Sequence, residues 1–294
     1  MGDPLLARQG SRGVIGRRQA LAAIGGALLA PMVRAAPLER VIRNGSLSIA
    51  VYRDFEPWSW REGDSLKGID IEVGDLLAQG LALKPSFVEL IPGDDVAADL
   101  RNAVWRGSVV GQAPADVMMH VPIDRQLALA NDRAVLIAPY YRESFTMACN
   151  RDSQPDCEIN PPALKGRVLA AEIDSIPDFY LSTVGGGVLR ADVRHHPTGP
   201  AAVRAAADGK ADAVVATRAQ IEHVRQARAE ALVPRKGPLP MMLSPGWNVG
   251  LAVKDDSRDL GDRLELAVQA LIANGKIPAI FERYGVTYRP AVES

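Results

Sequence analysis

The hydrophobic positions change period repeatedly along the chain. Leu47-Ser48-Ile49-Ala50-Val51 predicts a strand, after which Ile69, Val73, Leu76 and Leu77 fall on one face of a 3.6-residue helix. Residues 86–91 predict the next strand, Val96, Leu100, Ala103 and Val104 a second helical stripe, and Ala115-Asp116-Val117-Met118-Met119 a third strand. Right-handed crossovers turn this βαβαβ order into a mainly parallel sheet with helices on both faces. The pattern restarts after Lys165-Gly166, with a strand over 167–171, a helix over 177–183, a strand-like run over 193–196, a helix over 200–207 and the strand Ala213-Val214-Val215-Ala216. Residues 248–254 are strand-like again. Leu260, Leu264, Val268 and Leu271 mark a long amphipathic helix ending near Asn274-Gly275, and 277–284 a last short one. The expected fold is therefore α/β with two lobes. Ligands of such sheets bind beyond the carboxyl ends of the strands, so a cleft between the lobes is the expected site.

Composition narrows the picture. With 47% hydrophobic and 23% charged residues in 294, the chain is neither a disordered nor a collagen-like polymer. A formal charge of -1 without a Lys/Arg block argues against nucleic acid as a partner. Residues 1–35 read as an export signal removed by cleavage: Arg8, Arg12, Arg17 and Arg18 precede the apolar run 20–33, and Val33-Arg34-Ala35 suits a cleavage site. That run, fourteen residues long, is too short for a membrane span. Arg17-Arg18-Gln19-Ala20-Leu21 resembles a twin-arginine signal, which places the mature protein in the periplasm. Loss of 1–35 removes five arginines and one aspartate, taking the charge from -1 to -5. Cys149 and Cys157 can close a small loop in an oxidising compartment, with two free thiols as the alternative. No His or further Cys stands near them at zinc spacing, and no cofactor is expected.

A family resemblance rests on an ordered set of segments. These are Leu47-Ser48-Ile49-Ala50-Val51, Phe55-Glu56-Pro57-Trp58-Ser59-Trp60, Lys67-Gly68-Ile69-Asp70-Ile71-Glu72, Ala115-Asp116-Val117-Met118-Met119 and Ala138-Pro139-Tyr140-Tyr141. Leu164-Lys165-Gly166-Arg167-Val168, Gly209-Lys210-Ala211-Asp212-Ala213-Val214-Val215 and Asn248-Val249-Gly250-Leu251-Ala252-Val253 continue it. Together they resemble the family 3 extracellular solute-binding proteins of ABC importers. The resemblance implies a type II periplasmic-binding fold with a two-crossing hinge near 140–144 and 246–251. Lobe one would then comprise 36–142 and 248–294, and lobe two 143–247. It also implies a monomeric binder, not an enzyme, that closes around a small polar solute and delivers it to an ABC permease.

The same resemblance nominates site residues. Arg125 stands where the family grips a ligand carboxylate, Trp58 where it has an aromatic platform, with Phe55 and Asp54 just before it. Where amino-acid binders of the family place an Asp for the ligand ammonium, this chain has Thr217. The turn that helps bind carboxylate is replaced by Glu172-Ile173-Asp174-Ser175-Ile176-Pro177-Asp178, so Asp174 and Ser175 are expected at the cleft. A ligand with an anionic or polar end near Arg125 and an uncharged or cationic end near Asp174 follows, and dicarboxylates are expected to bind poorly. His120-Val121-Pro122 with Pro139-Tyr140-Tyr141-Arg142 also resembles periplasmic accessory proteins of quinoprotein alcohol dehydrogenases, which partner the dehydrogenase and its cytochrome. A third reading is a cyclohexadienyl dehydratase on this fold, drafting Glu172, Asp174 or His120 as general acid. His195 and His196 point to opposite faces of their run, which argues against a joint metal site.

Overall fold

A computed structural model describes residues 37–108 and 111–293. The expected export signal lies outside the described residues. Helix α1 (Pro37–Asn44) leads into β1 (Ser46–Tyr52), the hairpin β2 (Trp60–Glu62) and β3 (Ser65–Lys67), α2 (Ile69–Gly80), β4 (Lys84–Leu90), α3 (Val96–Leu100), β5 (Val117–Ile123), α4 (Arg125–Ala130) and β6 (Ala134–Glu143). The second set runs β7 (Phe145–Asn150), β8 (Leu169–Glu172), α5 (Ile176–Gly187), β9 (Val193–His196), α6 (Gly199–Ala207), β10 (Ala213–Thr217), α7 (Arg218–Ala227) and β11 (Leu232–Pro234). The chain then returns through β12 (Trp247–Lys254), α8 (Arg258–Ala273) and α9 (Lys276–Arg283).

Two five-stranded sheets result, in the orders β4-β1-β5-β12-β6 and β11-β7-β10-β8-β9. In the first, β1 pairs parallel with β4 and β5, while β12 runs antiparallel to β5 and β6. In the second, β8 is parallel to β9 and β10, and β7 antiparallel to β10. Each sheet carries helices on both faces, as the strands' apolar composition requires: Ala50, Met118 and Ala252 bury toward one side of the first sheet, and Ile49, Val117 and Val253 toward the other. The chain passes between sheets twice, at Ser144 between β6 and β7 and over 235–246 before β12. This two-lobe, two-crossing α/β arrangement is the one the sequence predicts.

Local departures have local causes. The stripe containing Leu100 and Val104 is not one α-helix: α3 passes into a π-helical turn over Arg101–Trp105. Helix α5 breaks from Val184 onward, where Gly185 and Gly186 take φ of 61° and 75°, so the helix face predicted over 177–183 ends just before the break. Cys149 and Cys157 form a disulfide that pins β7 to the following loop, with Cα atoms 5.5 Å apart.

Candidate functional site

The turn at the carboxyl end of β1 is built around the start of α2. Trp58 N donates to Phe55 O at 2.8 Å, and the turn's own carbonyls cap the helix: Ile69 N donates to Pro57 O (3.0 Å) and Asp70 N to Trp58 O (2.9 Å). That close approach explains Gly68, whose φ is 135° and where a Cβ would lie 2.0 Å from Trp58 O. The packing also decides the fate of Trp58. Its ring has no exposed surface and packs on His120 (4.3 Å between centroids), Tyr141 (5.4 Å) and Phe281 (5.7 Å). The expectation of Trp58 as a stacking platform is therefore corrected: a ring walled in by core aromatics offers no face to a ligand. Nor do Trp58 and Trp60 share a face, since Trp60 packs instead on His223 and Tyr284.

Phe55 is half-buried and meets Tyr52 and His120 edge-on, at 5.6 and 4.9 Å, while Asp54 is exposed with φ 54°. His120 is the strained member of the site: within β5, between β1 and β12, it takes φ 59° although it is not glycine. Its Nδ1 lies 3.4 Å from Asp70 Oδ2, and Asp70 Oδ1 accepts the Tyr140 hydroxyl at 2.6 Å. Burial, then the Asp70 charge, pushes the Tyr140 hydroxyl well above its usual pKa, so it remains a donor. Trp58 Nε1, Asp70 Oδ2 and His120 Nδ1 are all buried without a hydrogen-bond partner. Asp70, in the Lys67-Gly68-Ile69-Asp70 segment, was legible as a motif residue but not as the anchor of His120.

The remaining expected residues divide by whether their polar atoms are free. Arg125 is exposed at the first position of α4, where the preceding Asp124 caps the helix by accepting Leu127 N at 2.8 Å. Asp174 is exposed with φ 56°, its backbone N donating to Asp178 at 3.2 Å. Ser175 and Thr217 are occupied as helix caps. Ser175 Oγ donates to Glu172 O and accepts Asp178 N, and Thr217 forms a reciprocal capping box with Gln220 at the start of α7. Glu172 is half-buried and accepts Gly199 N at 2.8 Å where α6 begins. Of the general acids drafted for dehydration, none bonds another.

Contacts between the lobes involve residues the sequence did not single out. Glu56, from the turn after β1, accepts from Arg204 of α6 at 3.2 and 3.0 Å and meets His223 Nε2 of α7 at 3.0 Å. His223 Nδ1 meets the carbonyl of Tyr284, just after α9, at 2.6 Å. Both ring nitrogens face acceptors, so the ring satisfies both only when doubly protonated. Burial opposes ionisation of Glu56, but its bonds with His223 and Arg204 outweigh that and hold the carboxyl at about 2. At the crossing, Glu143 is buried and accepts Ser144 N (2.7 Å) and Ala219 N of α7 (3.4 Å). Burial pushes its pKa up to about 8. The one sequence signal for the clasp was Glu56 itself, polar inside an aromatic turn.

No family model matches the chain, and no curated protein matches it. Solved structures do. An ancestral cationic amino acid solute binding protein aligns over 84% of this chain and 99% of its own, with a TM-score of 0.67 and 17% identity. An amino acid ABC transporter substrate-binding protein from Streptococcus pneumoniae, bound to L-arginine, aligns over 86% and 100%, with a TM-score of 0.63 and 17% identity. A mutant of ArgBP from T. maritima aligns over 84% and 98%, with a TM-score of 0.59 and 20% identity. At these identities the likeness speaks for the fold, and it assigns this chain the type II periplasmic-binding architecture of two sheets joined by two crossings.

Proposed function

We propose that the protein is a periplasmic solute-binding protein that closes its lobes around a small polar solute and delivers it to an ABC importer. The observation that carries this reading is the clasp of Glu56 with Arg204 and His223, a bond set that joins the two lobes. The solute-binding proteins of the same fold, an amino acid binder with L-arginine among them, support it. The disulfide suits an oxidising compartment, in line with the export signal read from 1–35. Arg125, Asp174 and Asp54, all exposed, are nominated charged groups that would meet the solute, with the half-buried Phe55 as an aromatic contact. Thr217 and Ser175 contribute less, because their hydroxyls cap helices.

A solute screen read by thermal unfolding tests this directly. A binder raises the midpoint in proportion to RT ln(1 + [L]/Kd), and Arg125→Ala removes the shift without lowering the midpoint of the free protein. A broad screen of amino acids, polyols and small cations that leaves the midpoint unmoved would overturn the reading.

A further inference from the structure

A cavity of about 280 Å³ lies at the crossings between the two sheets. Its wall includes Ser144 from the first crossing, Thr146 of β7, Arg218 at the first position of α7, and Lys236 and Ser244 from the second. The lining contains two cations and three hydroxyls and no carboxylate. Arg218 is held in place by its backbone N on Ser144 O (2.9 Å) and its Nε on Ser144 Oγ (3.4 Å), which leaves the two terminal nitrogens of its guanidinium unused. Among the described residues neither Arg218 nor Lys236 forms an ion pair.

The nearby acids are already committed. Glu158 accepts the backbone N of Lys236 and of Gly237 at 2.5 and 3.2 Å and lies 3.9 Å from Arg235 Nε. Glu143 spends its oxygens on Ser144 N and Ala219 N. Burial pushes the Glu143 pKa up to about 8, which disfavours its charged form. A guanidinium fork, an ammonium and several hydroxyls converging without an acid are the donor set of an oxyanion site, matched to carboxylate or phosphate.

We propose that this cavity between the two crossings binds a small oxyanion, with Arg218 and Lys236 as its charged grips and Ser144, Thr146 and Ser244 as hydroxyl donors. An anion held there bridges both segments that connect the lobes. The site does not depend on the identity of the solute, nor on the importer reading.

Calorimetry and thermal unfolding of the protein with inorganic phosphate, sulfate and acetate, each against chloride at matched ionic strength, test it. The expected result is saturable binding of at least one of the three, and a midpoint raised above the chloride control. Selectivity for phosphate and sulfate would identify a tetrahedral ligand, and equal binding of acetate a carboxylate. Lys236→Glu, at an exposed position, should weaken binding by about tenfold or more, and Arg218→Gln should do the same. Shifts no greater than with chloride, or affinity retained in Lys236→Glu, would overturn the proposal. Because Lys236 is exposed, that variant reads the site even if Arg218→Gln disturbs the start of α7.

Discussion

At the scale of single residues, burial decides what a side chain can do. Trp58 looked like a ligand platform because an aromatic follows the turn after β1, yet its ring fills the space between His120, Tyr141 and Phe281. Trp58→Ala should therefore lower stability by about 3–5 kcal/mol, the range for emptying a large core aromatic, as read by urea unfolding. A loss below about 1 kcal/mol would show that the ring is not core. Glu143 makes a different prediction. Its carboxyl is held near 8 in the fold against 4.5 for an ordinary glutamate, so the folded state keeps a proton that the unfolded chain releases. The stability this proton supports is full below about pH 4.5 and is lost progressively as pH rises through about 8. Unfolding free energy should fall over that interval, and Glu143→Gln should flatten the slope; parallel slopes for the two proteins would show that Glu143 is not the group responsible.

At the scale of elements, period and punctuation were legible and their exceptions were not. The strand predicted over 193–196 and the helix predicted over 200–207 appear within one residue of their observed bounds, the helix because a Thr198 cap with Pro200 in its first turn fixes where it starts. The π-helical turn at Arg101–Trp105 keeps the apolar residues of a helix while changing its winding, so periodicity alone could not reveal it. The hairpin Trp60–Glu62 with Ser65–Lys67 is short and mostly exposed, and carries no alternating signal. The candidate site was legible to the same degree. Asp54 and Phe55 lie in the turn at the carboxyl end of β1, where open α/β sheets bind ligands, whereas His120 sits within β5 and its pairing with Asp70 joins residues fifty positions apart and needs the fold. Thr217 tests the capping reading: Thr217→Ala removes the acceptor for Gln220 N and should cost about 1–2 kcal/mol with solute affinity changed by less than twofold. A large loss of affinity at unchanged stability would return Thr217 to the cleft.

At the scale of the whole molecule, the proposed role as a two-lobe binder works through the free-energy difference between open and closed forms, and on that reading the clasp sets part of the difference before any solute arrives. Moving the closed fraction from 1:99 to 99:1 takes roughly 5.5 kcal/mol, and a preformed bond between lobes reduces what the solute must supply. Glu56 from lobe one, with Arg204 and His223 from lobe two and the Tyr284 carbonyl behind the ring, is such a bond set. Its pH dependence has a definite sign. The Glu56 carboxyl lies at about 2 with the clasp made against 4.5 when free, so the clasped form binds fewer protons in that interval. The part of the clasp that rests on the Glu56 charge is complete above about pH 4.5 and weakens as pH falls toward about 2. Glu56→Gln keeps the shape of the side chain and removes its charge. At neutral pH and without solute, small-angle scattering should therefore show a larger radius of gyration for Glu56→Gln than for the unaltered protein. On acidification from about pH 5 to about pH 3 the unaltered protein should expand toward the variant's value while the variant changes little. Coincident radii at neutral pH would mean that Glu56 does not hold the lobes together, and that closure rests on the solute alone.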